Sequence, residues 1–170
     1  MMTPRNFAKG VIPHGTTTVV TDPHEIANVC GMEGVRYMHE AGDDLPMRQL
    51  IDIPSCVPAV PGLENAGAEF FAGQIEELSS MDRVIGLAEV MDFLAVIHGE
   101  DRMMDIIDVM DKKGLYLQGH APSVSGRMLS AYLCGGPNTC HESRERYEAL
   151  EKLRSGMFVD ARESSITKNV

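Results

Sequence analysis

The chain has 170 residues, enough for one domain with a substantial core. Its net charge of −10 argues against a nucleic acid as partner, because phosphate binding needs a basic surface, and leaves an uncharged nucleobase open. The four cysteines, at 30, 56, 134 and 140, form no CxxC pair, which suggests reduced thiols in a cytoplasmic protein, and no stretch reaches the roughly 18 apolar residues of a membrane span.

In chain order, residues 4–12 read as a short helix with Thr3 as cap and Pro4 at its first position. The β-branched run Thr16–Thr21 reads as a strand, followed by one helix from about 23 to 41 that stops near Gly42. Arg48–Ile53 is the next strand, then a proline-studded loop to Gly62. A helix over 66–81, a strand over 83–89 and a helix over 100–113 follow, the last with Met103, Met104, Ile107 and Met110 on one face and Gly114 closing it. The chain then reads as strand 115–119, helix 124–134, strand 138–141, helix 143–155 and strand 157–161.

Strand and helix alternate six times with no hairpin signal, which predicts an α/β fold with a parallel sheet. A doubly wound open sheet and a (β/α)8 barrel compete. A complete barrel needs about 250 residues, so the bare count slightly favours the open sheet. No glycine-rich dinucleotide fingerprint follows the first strand, where Thr21-Asp22-Pro23-His24-Glu25 occupies the turn.

Three side chains stand at the ends of separate apolar runs: Glu89 after Gly86-Leu87-Ala88, His120 after Gln118-Gly119, and His141 after Thr139-Cys140. In a barrel, strand C-termini meet at one rim, so these residues could converge on a metal. A carboxylate with two imidazoles suits Zn, Mn or Fe(II) rather than Ca or Mg. Each also has a plainer reading, as a solvated strand end or a structural histidine. Asp22-Pro23-His24-Glu25 has a stronger plain reading still, with Asp22 as helix cap, Pro23 at the first helical position and Glu25 completing a capping box. His14, His39 and His98 read as loop or surface residues. HExxH, HxE with PCxxC, and GxSxG are all absent.

Taken together, Pro13-His14-Gly15 through Thr21-Asp22-Pro23-His24-Glu25-Ile26-Ala27-Asn28-Val29, Gly86-Leu87-Ala88-Glu89-Val90-Met91, Gly119-His120-Ala121-Pro122, Leu153–Met157 and Arg162-Glu163-Ser164-Ser165 resemble the microbial adenine deaminases of the amidohydrolase superfamily. The resemblance implies a deformed (β/α)8 TIM-type barrel of which residues 1–170 are the central part, roughly strands two to seven. It implies a binuclear metal site in which Glu89 is the bridging ligand and His120 and His141 are imidazole ligands. Mn or Fe(II) is implied, with Zn as the alternative, and no organic cofactor.

The implied first-strand HxH pair would lie upstream of Met1, and the proton-shuttling eighth-strand aspartate beyond Val170. The implied activity is deamination of adenine to hypoxanthine and ammonia in purine salvage. Asp22, His24, Glu25 and Ser55, with Cys56, are candidate walls of the substrate pocket. The isolated chain is expected to be inactive or weakly active, and its exposed parallel edges favour a homo-oligomer. Another amidohydrolase acting on a cyclic amide, such as a hydantoin or dihydropyrimidine, and a non-catalytic fragment are the alternatives.

Overall fold

A computed structural model describes residues 2–164 and 168; Ser165, which ends the last stretch of the resemblance, lies outside the described residues. The described elements are α1 (Pro4–Val11) with a 3-10 turn (Ile12–His14), β1 (Thr18–Thr21), α2 (His24–Cys30), α3 (Met32–Glu40), β2 (Arg48–Pro54), α4 (Ala72–Leu78) and β3 (Val84–Val90). They continue as α5 (Phe93–His98), α6 (Asp101–Lys112), β4 (Tyr116–Gly119), α7 (Gly126–Cys134), β5 (Thr139–Cys140), α8 (Arg146–Arg154) and β6 (Phe158–Val159).

The helix expected over 23–41 is two helices. Gly31 separates them at φ 62°, ψ −143°, a backbone state that glycine alone adopts without strain. A Cβ there would lie 3.2 Å from that of Ala68, and Gly67 N–H donates to the Asn28 carbonyl at 2.6 Å. The following helix begins at Ala72 rather than 66, because Phe70 N–H is committed to the Val57 carbonyl at 2.8 Å. A short helix unseen in the sequence, α5, is capped by Asp92, whose carboxylate accepts from Ala95 N–H at 3.1 Å, and is ended by Gly99 at φ 69°. His39 is buried rather than superficial, with Nε2 at 2.7 Å from the Asp82 carbonyl.

Strands β1 to β4 form one parallel sheet in chain order, and β5 and β6 pair in parallel beside it. Gly119 N–H donates to Thr139 Oγ1 at 2.8 Å, which joins β5 to the end of β4. A Cβ on Gly119 would stand 2.3 Å from the Thr139 carbonyl oxygen, so this close approach needs glycine. A doubly wound sheet reverses its strand order at a switch point; the unreversed order here weighs against that option and is the order of a barrel wall.

Apolar residues on the outward side of the strands, Ile53, Leu87, Val90 and Leu117, pack with Ile75, Leu78, Ile106, Met110 and Leu129 of the helices. On α6 it is Ile106, not Met104, that joins Met103, Ile107 and Met110 in the core. Among the described residues no helix is long and apolar enough to cross a membrane.

Candidate metal centre

On the opposite side of the strands, successive strand positions line one cavity of about 410 Å³: Val20 and Asp22 at β1, Asp52 on β2, Ala88 and Glu89 on β3, and Gln118 on β4, with Thr139 and His141 beyond. Simple alternation would send Glu89 to the helix side once Ala88 faces inward. The pairing of β3 with β4 contains an irregularity: Leu87 pairs with Leu117 and Val90 with Gly119, so three steps on β3 oppose two on β4. Such a bulge re-aims a side chain at a strand end, and both Ala88 and Glu89 face the cavity. Ser55 Oγ fixes this turn by donating to the carbonyls of Ala88 at 2.9 Å and Glu89 at 3.0 Å.

Glu89 is where the site converges. Its Oε2 lies 2.9 Å from His120 Nδ1 and 2.7 Å from His141 Nε2, and the two imidazoles stand edge to face with centroids 5.5 Å apart. The buried Tyr132 hydroxyl sets the approach of His120: it accepts from His120 N–H at 2.9 Å and donates to the Val90 carbonyl at 3.0 Å. Burial alone would raise the Glu89 pKa, but the hydrogen bonds and charge of His120 and His141 hold the carboxyl well below the usual range. The Glu89 hydrogen bond in turn raises His141, against burial. One donor atom from each of Glu89, His120 and His141 falls within 4.8 Å of the others. A carboxylate oxygen and two imidazole nitrogens at that spacing fit a divalent transition metal.

Beneath these histidines lies a buried cation. Lys152, fully buried, donates to Glu148 Oε1 at 2.6 Å, to the Ala121 carbonyl at 2.6 Å and to Ser143 Oγ at 3.2 Å. It thereby ties the loops that follow β4 and β5, one behind each histidine.

The Asp22–Glu25 turn does not form the expected capping box. Asp22 makes no cap hydrogen bond, and its Oδ2 instead lies 2.7 Å from His24 Nδ1. That bond, chiefly, raises the His24 pKa to about 9 against burial, while burial pushes Asp22 up. His24 Nδ1 is also 3.8 Å from Glu89 Oε1, so Asp22 and His24 join the centre. Glu25 is exposed and lines a separate depression of about 440 Å³ with Met2, Phe7 and Met38. Ser55 is buried, and its hydroxyl is engaged by the β3 carbonyls.

Sequence reading did not single out Asp52, which is 4% exposed. Burial first, then the Asp22 charge, raises its pKa to about 6 against a Gln118 hydrogen bond. A carboxylate inside Leu50-Ile51-Asp52-Ile53 carried the same signal as Glu89 within its own apolar run. Gln118, Thr139 and Tyr132 gave no such signal, being ordinary residues of strands and a helix.

A carboxylate and imidazoles gathered at the C-terminal ends of parallel strands define a metal-dependent hydrolase type of centre. The amidohydrolase family model matches residues 1–169, and the chain belongs to that family, whose members use a divalent metal. It is 44% identical over 170 residues to "Adenine deaminase 2" of Carboxydothermus hydrogenoformans, and 45% over 173 residues to the adenine deaminase of Staphylothermus marinus. It is 46% identical over 170 residues to that of Methanothermobacter thermautotrophicus. Each alignment takes in 100% of this chain but only 29%, 29% and 31% of those relatives' lengths.

Proposed function

We propose that this chain is the central part, roughly strands two to seven, of the barrel of a cytoplasmic adenine deaminase, which hydrolyses adenine to hypoxanthine and ammonia. The observation that carries this reading is the meeting of Glu89, His120 and His141 at one rim, in a chain 44–46% identical to adenine deaminases.

Glu89, His120 and His141 would hold a divalent cation, with Mn or Fe(II) preferred over Zn. When bound, the cation supplies Lewis acidity and lowers the pKa of water. Glu89 offsets part of its charge, and Tyr132 and Lys152 keep the two imidazoles in place. The cavity of about 410 Å³ falls within the range that small ligands occupy. Asp52, with a pKa raised to about 6, can hold or release a proton beside the ring near neutral pH. Of the substrate-side candidates, Asp22 and His24 line this cavity, whereas Glu25 and Ser55 do not.

An HxH pair does not occur within these 170 residues, so we expect turnover only when flanking segments are supplied. Among the described residues no strand pairs with the outer edge of β1 or of β6, which favours association with a second copy.

The test is ammonia release from adenine, with hydantoin and dihydropyrimidine as competitors, using the chain alone and then joined to the flanking segments of the Methanothermobacter relative. Manganese-dependent deamination of adenine by the joined protein, abolished by Glu89→Gln, is expected. Hydrolysis of a cyclic amide with adenine untouched would overturn the reading.

A further inference from the structure

The face opposite the metal centre, where β2 and β3 begin, carries a separate polar cluster. A depression of about 420 Å³ opens there, its walls including Gly42, Leu45, Pro46 and Met47 after α3, Gln49 of β2, and Arg83 just ahead of β3. Gln49 is 2% exposed. Its Nε2 donates to the Met38 carbonyl at 3.2 Å, but its Oε1 is buried with no hydrogen-bond partner among the described residues.

Arg83 stands at φ 62°, a left-handed backbone that a residue with a side chain holds only where its surroundings dictate it. Here they do. Arg83 Nη2 donates to the His39 carbonyl at 3.0 Å and to Asp43 Oδ1, and Nε lies 3.5 Å from Asp82 Oδ2. Its Nη1 makes no hydrogen bond among the described residues. A Cβ on Gly42 would stand 2.8 Å from Gln49 Oε1 and 2.9 Å from Arg83 Nη1. A free acceptor and a free donor therefore converge on the space this glycine leaves open. A clamp tying α3 to the start of β3 explains Nη2 and Nε. It does not explain an unpaired buried amide oxygen, which is costly, or a glycine whose backbone is not left-handed.

We propose that this depression binds a planar ligand by a neutral lactam edge, the carbonyl beside an N–H that an oxo-nucleobase carries. The lactam oxygen accepts from Arg83 Nη1, the lactam N–H donates to Gln49 Oε1, and the ring lies against Leu45, Pro46 and Met47. A carboxylate or phosphate suits the site poorly, because it has no hydrogen to give the Gln49 oxygen and would sit beside Asp43 and Asp82. The volume falls within the range that small ligands occupy. The assignment goes beyond the proposed function and needs neither a metal nor adenine as substrate.

The test is an NMR titration of the isotope-labelled protein with α-pyridone, a minimal aromatic lactam. N-methyl-α-pyridone, which keeps the oxygen and lacks the N–H, is the comparison. Saturable shifts of the Gly42 backbone and Gln49 side-chain amide signals are expected with α-pyridone. Affinity for the methylated probe should be lower by at least about tenfold, since it leaves the Gln49 oxygen unpaired. Both titrations use the parent protein, so neither depends on a variant folding. Gly42→Ala puts a methyl between the two polar atoms and should weaken α-pyridone binding to a similar extent. No saturable shift, shifts confined to the Glu89 cavity, equal affinity for the two probes, or undiminished binding in folded Gly42→Ala would each overturn the proposal and leave a gap that holds water only.

Discussion

The Glu89 carboxylate and the His120 imidazole, 31 residues apart in the chain, meet at 2.9 Å. A bulge in β3 and the Tyr132 hydroxyl bring them there, and His141 reaches the same oxygen from the next strand.

Because Glu89 Oε2 is the atom both histidines face, Glu89→Gln should abolish cation binding at this position. The loss should exceed the roughly 10–100-fold seen when only an outer partner of a ligand is removed. Competitive titration with a metal indicator measures it, with circular dichroism as the check on folding. Unchanged affinity in the folded variant would show that Glu89 is not a ligand.

Asp52 makes stability depend on pH. Its folded-state pKa, about 6, lies above the unfolded value, so the native protein keeps a proton that the unfolded chain releases near pH 4. Stability should therefore fall as pH rises from about 4 to about 6, by on the order of 3 kcal/mol at most. Asp52→Asn removes this dependence. Its urea midpoint should exceed the parent's at about pH 7 and match it at about pH 4; a difference independent of pH would exclude the buried carboxyl as its source.

Lys152 and Glu148 form a buried pair at 2.6 Å. Lys152→Met leaves the Glu148 carboxylate buried without its cation and should cost about 3–5 kcal/mol. Adding Glu148→Gln restores neutrality and keeps an acceptor for Ser123 N–H, now 2.8 Å from Glu148 Oε1, so the double variant should regain part of the loss. Chemical denaturation of all four members of the cycle decides this, and additive effects would mean that the two residues act independently.

Gly119→Ala forces a methyl against the Thr139 carbonyl, 2.3 Å away, and the Tyr132 hydroxyl, 3.0 Å away. We expect a loss of about 1–3 kcal/mol and weaker cation binding, since His120 is the next residue. Parallel thermal melts and metal titrations read the two effects; an undisturbed protein would show that β4 and β5 can separate at that point without cost.

The α/β alternation was legible in the chain because apolar runs, β-branched stretches and glycine stops are local signals. The boundaries that failed were those set by distant partners. Gly31 splits a helix through its backbone conformation and its packing against Ala68. The helix expected from 66 starts late because Phe70 bonds to Val57.

Glu89, His120 and His141 could be picked out by their place at the ends of apolar runs, since an acidic or imidazole group there demands a partner. Their meeting at one point could not, because it depends on strand order and on one extra residue in β3. The spacing of Asp22, Pro23 and Glu25 suits a helix cap and leaves His24 without a role; only folding turns Asp22 toward His24 and sets Cys56 beside them. The sequence by itself determined the α/β alternation and marked Glu89, His120 and His141 as chemistry-bearing side chains, because those follow from neighbours along the chain. Tertiary structure alone decided which of those side chains share a site, since hydrogen-bond register and close packing between strands are properties of segments far apart in the chain.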